Sequence, residues 1–213
     1  MRVRHIPEAA SVIQQSPLVL REQAASLFRG DWQKKLADSR PIQVEIGMGR
    51  GRFIFSAAVA YPDIFFVGIE IQPEMIFQAL ERANLAQIPP NLRLLWADAA
   101  RLTDIFAPGE VSDIYLNFPD PWPKNRHCKR RLTAIAFLEQ YRCVLRQDGE
   151  LKFKTDNRHL FDWSLANLAS AKWKIHNLSY DLPLIEDTIV TEYEHRFRTS
   201  GQPIYALTSG CEK

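Results

Sequence analysis

From residue 41 onward, apolar runs of strand length alternate with stretches of helical period. Ile42-Gln43-Val44-Glu45-Ile46 predicts a strand, and it meets Gly47-Met48-Gly49-Arg50-Gly51 before a helix over about 52–60. A second strand over 64–71 carries Glu70 near its end, and Pro73 opens a helix that continues to about residue 85. Residues 91–97 predict a third strand, closed by Asp98, and the apolar run that opens the stretch from Val111 to Lys124 a fourth. A helix over about 131–145 leads through Asp148-Gly149 to a fifth strand over 151–155, capped by Asp156. A helix over 159–169 and strands over 173–178 and 203–207 complete the pattern. This alternation predicts an α/β fold: a Rossmann-like, mostly parallel sheet of seven strands with helices on both faces. Phe65, Phe66 and Phe153 fall in predicted strands and read as core. Residues 1–40 show no strong period and predict an N-terminal arm with one or two short helices, tipped by Arg2, Arg4 and His5; residues 41–213 predict one domain.

One stretch departs from the alternation. Val111 to Phe118 reads as a buried strand, and then Pro119, Pro121 and Pro123 bracket Asp120 and Trp122. Proline pushes its predecessor toward extended geometry, so Phe118, Asp120 and Trp122 are expected to be extended and stiff. A stiff loop at the carboxyl end of a central strand suits a carboxylate that must be held still, because open α/β sheets bind ligands beyond those strand ends. A purely structural turn fits the same residues. The cations of Lys124-Asn125-Arg126-His127-Cys128-Lys129-Arg130-Arg131 follow at once.

Composition narrows the class without choosing a function. The chain has 213 residues, with 27 Lys and Arg against 25 Asp and Glu, so its net charge is +2 and only local clustering argues for a nucleic-acid partner. No apolar run is long enough for a bilayer, and the first residues lack the apolar core of a secretory signal, so the cytoplasm and no membrane partner are expected. Cys128, Cys143 and Cys211 show no metal-ligand spacing, and neither a disulfide framework nor a metal is expected.

The glycine turn after the first strand lets backbone approach a ligand closely. A dinucleotide fingerprint needs its third glycine one residue later, where Arg52 stands. The shorter G-x-G-x-G spacing resembles the first motif of S-adenosyl-L-methionine-dependent methyltransferases with a Rossmann-like sheet. Glu70, about twenty residues beyond the glycines, is placed for ribose hydroxyls. Asp98 is placed for the adenine edge. Glu45 lies inside a strand, where a carboxylate needs a partner such as the cofactor's amine or sulfonium.

With these pieces the sequence resembles the bacterial tRNA (guanine-N7-)-methyltransferase family over nearly its whole length. The resemblance is carried by Glu45-Ile46-Gly47-Met48-Gly49-Arg50-Gly51, Gly68-Ile69-Glu70, Asn117-Phe118-Pro119-Asp120-Pro121-Trp122-Pro123-Lys124, Arg126-His127, Lys129-Arg130-Arg131-Leu132, Thr155-Asp156 and Thr191-Glu192-Tyr193-Glu194. It implies transfer of a methyl group from S-adenosyl-L-methionine to nitrogen 7 of the guanosine at position 46 in the tRNA variable loop, leaving S-adenosyl-L-homocysteine. It implies a cofactor site of Glu45, Gly47, Gly49, Gly51, Glu70, Asp98 and Asp120, with Asp120 also catalytic. Lys124, Asp156, Thr191, Tyr193 and Glu194 become substrate contacts, and Lys124, Arg126, His127, Lys129, Arg130 and Arg131 contacts to RNA. Asn125 and Cys128 depart from the family's basic segment. Monomer and homodimer both stay open.

The chemistry suits these residues. Nitrogen 7 of guanine carries an in-plane lone pair, so the acceptor needs no deprotonation, and the enzyme supplies alignment and a home for the positive charge that moves onto the purine. By spacing alone, Thr191-x-x-Glu194 is a reciprocal helix capping box, and Trp122 serves a base stack or a loop anchor equally well. Asn117-Phe118-Pro119-Asp120 is loosely similar to the Asn-Pro-Pro-aromatic motif of exocyclic-amine methyltransferases, but lacks its second proline and aromatic. An NAD-dependent oxidoreductase is disfavoured by the glycine spacing, and a non-catalytic RNA-binding module leaves the strand-end carboxylates without a purpose.

Overall fold

The computed structural model describes residues 5–83, 88–184, 189 and 191–211, without the side chains of residues 192 and 193; Arg2 and Arg4 lie outside the described residues. In chain order the elements are α1 (Ala9–Gln15), β1 (Val19–Arg21), α2 (Glu22–Ser26), α3 (Trp32–Leu36), β2 (Ile42–Ile46), α4 (Arg52–Ala60), β3 (Phe65–Glu70), α5 (Pro73–Arg82), β4 (Leu92–Trp96), α6 (Leu102–Ile105), β5 (Val111–Asn117), α7 (Ile135–Val144), β6 (Leu145–Thr155), α8 (Arg158–Ser170), β7 (Trp173–Ser179), α9 (Glu192–Thr199) and β8 (Tyr205–Cys211).

The sheet order is β1-β4-β3-β2-β5-β6-β8-β7. Every pairing is parallel except β6 with β8 and β8 with β7, which are antiparallel. The chain leaves β2 toward β3 on one side and returns to β5 on the other, so the glycine turn lies at the topological switch point, where open α/β sheets take their ligands.

Eight strands replace the seven expected. The additional one is β1, whose Val19 pairs with Leu94 at the edge of the sheet, inside the arm that was expected to hold only short helices. Three residues are too few to show a period, so this strand had no signature. The arm is also tied to the sheet by Trp32, fully buried, whose indole donates to the Ile105 carbonyl at 2.9 Å and stacks on Phe106 with centroids 5.0 Å apart.

Two further boundaries moved. The helix expected from residue 131 starts at Ile135, because Arg131 to Ala134 turn inward instead. Asp148-Gly149 is not a hairpin-like break: β6 runs through it, with the register against β5 shifting between Val111 and Asp113. A Cβ at Gly149 would lie 2.6 Å from the Ser112 carbonyl oxygen, so only glycine lets the two backbones meet there.

Alternation on the inner strands sorts side chains by face. On β5, Ile114 and Leu116 are buried with Phe65 and Phe153 beneath helices α7 and α8, as expected for core aromatics. Asp113, Tyr115 and Asn117 point the other way and join a polar row: Gln43 donates to Asp113 at 2.7 Å, Tyr115 donates to Gln43 at 2.8 Å, and Lys152 meets Asp113 at 3.1 Å. Asn117 is the end of that row nearest the glycine turn.

Candidate active site

The first wall of the site is the turn after β2. The amides of Gly47 and Met48 both donate to the Ile69 carbonyl, at 2.9 and 3.1 Å, and fasten the turn to β3. Gly47, Gly49 and Gly51 have φ of 74°, 55° and 75°, a region that side chains disfavour. At Gly51, which caps α4, a Cβ would also come within 2.9 Å of the Phe55 ring. At Gly49 it would meet nothing within 4 Å, so the turn faces open space that a ligand can enter.

Glu70 ends β3 and is buried. One carboxylate oxygen accepts the Gly49 amide at 3.0 Å, and the other accepts the amides of Ile71 and Gln72, both at 2.9 Å. Burial raises its pKa, the three amides pull it down, and the charge of Asp120 pushes it up again. Two sequence-predicted carboxylates from different strands therefore feel one another.

Glu45 carries the clearest test of fit to a cationic ligand. Its Oε1 accepts a hydrogen bond from Asn117 at 2.9 Å, while Oε2 is sealed from solvent with no hydrogen-bond partner of good geometry. Burial pushes its pKa up to about 8, helped by the charge of Glu70 and against the pull of Asn117 and the Ile54 amide. Buried polar atoms are nearly always paired, so an orphaned carboxylate oxygen beside an open glycine turn fits a cationic group such as the amine of S-adenosyl-L-methionine.

Asp98 sits farther out. It is exposed, caps the short 3-10 helix Ala99–Arg101 by accepting the Ala100 amide at 2.9 Å, and its own amide donates to Glu22 at 3.3 Å. Glu22, from the N-terminal arm, was not anticipated at this rim.

The second wall follows β5. The Phe118 amide donates to the Lys154 carbonyl at 2.8 Å, extending the ladder one residue beyond the strand. Asp120 is exposed in the loop that follows. The expectation of extended geometry fails at Phe118 and Trp122, which have φ of 51° and 41°. Left-handed backbone before proline persists only where surroundings enforce it. Phe118 stacks on Phe197 of α9 with centroids 5.9 Å apart, and both carbonyls flanking Trp122 are held by Arg131.

Beyond this loop the 3-10 helix Asn125–Arg130 presents Arg126, Lys129 and Arg130 to solvent, next to exposed Lys124. His127 is half-buried against the edge of Trp122, at 5.7 Å, and Arg130 lies over the same indole at 5.0 Å, so Trp122 anchors the segment. Arg131 is the exception. Expected to touch RNA, it is 1 % exposed and points into the protein, so no face is left for a phosphate.

On the far side, Thr191 caps α9 by accepting the Glu194 amide at 3.0 Å. The reciprocal half of the capping box is not made. The Glu194 carboxylate, fully buried, instead meets Lys154 at 3.3 Å and Arg198 at 2.7 Å, so it has no free face for a direct substrate contact. Asp156, half-buried after β6, has its pKa raised by burial. The Tyr193 side chain lies outside the described residues.

Sequence reasoning missed Asn117, Lys154, Arg198 and the inward role of Arg131. Arg198 stands four residues after Glu194 on a helix, a spacing that signals an ion pair. Among the described residues no group of three or more His, Cys, Asp or Glu side chains could hold a metal, and no helix is long and apolar enough to cross a membrane. An open cleft of about 770 Å³ lies at the amino-terminal ends of the central strands, lined by Trp32, Ile42, Glu110 and Arg146 among others. Glu110 there accepts the amides of Gly30, Trp32 and Ala107.

Residues 39–207 match the family described as "Putative methyltransferase". A tRNA (guanine-N(7)-)-methyltransferase of Brevibacillus brevis is 44% identical over 214 residues, covering 99% of each chain. That of Pediococcus pentosaceus is 46% identical, covering 97% of this chain and 98% of its own. Among solved structures, the 16S rRNA methyltransferase KamB aligns with a TM-score of 0.64 at 18% identity, over 86% of this chain and 94% of its own. A variant of the 16S rRNA (adenine(1408)-N(1))-methyltransferase of Catenulisporales acidiphilia, determined with its cosubstrate SAM, aligns with a TM-score of 0.62 at 18% identity, over 86% and 91%. These likenesses establish the class I methyltransferase fold. Since relatives this similar match from end to end and the family model covers most of the chain, the chain belongs to the bacterial tRNA (guanine-N7-)-methyltransferase family.

Proposed function

We propose that the protein methylates nitrogen 7 of the guanosine at position 46 in the variable loop of tRNA, in the cytoplasm, using S-adenosyl-L-methionine. The cofactor supplies an electrophilic methyl group on a sulfonium. The turn from Gly47 to Gly51, with Glu70 bracing it, borders the cofactor, and the unpaired Glu45 oxygen receives its cationic portion. Asp98 stands at the adenine end. Asp120 accepts hydrogen bonds from the guanine edge and offsets the charge that develops on the purine. Its position carries the reading: exposed directly after β5, the strand beside β2 and its glycine turn, it precedes the exposed cations Lys124, Arg126, Lys129 and Arg130. Those cations would hold the tRNA backbone, with His127 at their inner edge. Lys124, Asp156, Thr191 and Tyr193 complete the pocket for the target nucleotide, and Glu194 orients Lys154 and Arg198 behind it.

Nitrogen 7 attacks with its own in-plane lone pair and needs no general base. The test is to incubate the protein with methyl-labelled cofactor and two tRNA transcripts, carrying guanosine or adenosine at position 46. Label recovered as 7-methylguanosine only from the first transcript is the expected result. Label on an exocyclic amine would move the assignment to another methyltransferase class.

A further inference from the structure

Arg131 is among the largest fully buried side chains, and among the described residues its guanidinium meets no carboxylate. Its Nε donates to the Pro121 carbonyl at 3.0 Å and a terminal nitrogen donates to the Trp122 carbonyl at 3.1 Å. Those two carbonyls belong to the peptide planes on either side of the Trp122 Cα. Fixing both planes fixes the backbone angles of Trp122, the residue held at a φ of 41° before a proline. A guanidinium has the planar fork this requires, whereas an ammonium on a flexible stem does not.

The clamp is footed on the core. The guanidinium lies 4.5 Å from the centre of the Trp163 ring on α8. The next two residues are held as well: the Leu132 carbonyl accepts the Tyr141 hydroxyl at 3.0 Å, and the Thr133 and Ser164 hydroxyls lie 2.6 Å apart. The Leu132 side chain in turn borders the glycine turn, 3.7 Å from where a Gly47 Cβ would stand. The segment therefore connects α7 and α8 to both walls of the site, immediately after the outward-facing cations.

We infer that Arg131 is a positioning residue that holds the Asp120 loop in its reactive shape, and that the basic run is divided between Arg126, Lys129 and Arg130 for RNA and Arg131 for the loop. The inference rests on Asp120 being the carboxylate at the reaction centre. It is tested with Arg131→Lys and Arg131→Gln beside Lys129→Gln, measuring kcat at saturating tRNA and cofactor, KM for tRNA, and the salt dependence of that KM. Both Arg131 variants should lose tenfold or more in kcat, with KM and its salt slope within twofold of the wild type. Lys129→Gln should raise KM and lower its salt slope, with kcat within twofold of the wild type. Arg131→Lys with wild-type kcat overturns the inference, as do Arg131 variants that raise KM and flatten the salt slope. Should melting curves show both Arg131 variants unfolded, Trp163→Phe loosens the floor beneath an intact guanidinium, and a severalfold fall in kcat with an unchanged salt slope is expected. Unchanged kcat there is contradictory. A wild-type protein that forms no 7-methylguanosine would instead remove the reading beneath it.

Discussion

The two walls of the site hold their acidic groups in different ways. On the wall proposed for the cofactor, Glu70 is answered by three main-chain amides, two of them from the residues that directly follow it and one from the glycine turn. On the wall proposed for the substrate, Glu194 is answered by side chains, Lys154 and Arg198, and the Asp120 loop by Arg131. Main-chain recognition depends on local geometry and a few glycines. Side-chain recognition depends on which distant residues the fold brings together, and it can be retuned one residue at a time. A cofactor common to many enzymes suits the first, and a particular RNA suits the second.

The largest effect on binding should come from breaking the proposed cofactor wall at its unpaired atom. Glu45→Gln keeps an acceptor for Asn117 but removes the charge, and loss of one partner of a buried charge pair costs on the order of 3 kcal/mol, roughly a hundredfold in cofactor affinity by calorimetry. Affinity within threefold of the wild type would show that Glu45 does not face the cation.

The same residue predicts a pH dependence with a definite sign. Its folded pKa, about 8, lies above its ordinary carboxylate value, so the ligand-free fold binds a proton that the unfolded chain releases. Its contribution is complete below the ordinary value and is lost as pH rises toward about 8, at up to about 1.4 kcal/mol per pH unit. Cofactor affinity should rise over the same window as the carboxylate ionises. Both trends should flatten in Glu45→Gln; thermal melts and titrations at several pH values check them.

A smaller effect is expected outside the walls. Neutralising Arg126, Lys129 and Arg130 together should raise KM for tRNA and reduce the slope of log affinity against log salt by about 2, since each phosphate contact contributes about 0.7–0.9. Cofactor affinity should not move. An unchanged salt slope would mean that RNA docks elsewhere.

The smallest effect belongs to the cap of α9. Thr191→Ala should cost about 1 kcal/mol of stability, seen as a fall of a few degrees in Tm. Because Thr191 also lines the proposed nucleotide pocket, turnover should fall further than the loss of folded protein explains. A fall no larger than that would show a hydroxyl that caps α9 without touching substrate.

The same contrast explains what could be read from the sequence. The glycine turn and Glu70 at the end of its strand follow from short-range patterns, and they stand where those patterns put them. Strand β1 escaped because three residues show no period. Phe118 and Trp122 escaped because the local rule for residues before proline is overruled here by Phe197 and Arg131. Arg131 looked like its neighbours because charge in a run does not say which side chain turns inward. Glu194 matched a capping box by spacing, but its carboxylate found two cations that spacing alone could not bring near.

Asp120 joins the two walls, and the account stands on it. The most direct measurement is the single-turnover rate of Asp120→Asn with saturating cofactor and tRNA, taken beside its melting curve. A folded protein that transfers methyl groups about a hundredfold to a thousandfold more slowly is predicted, the range for removing one preorganised group that stabilises developing charge. A folded variant that transfers at close to the wild-type rate would contradict the assignment of Asp120 to the reaction.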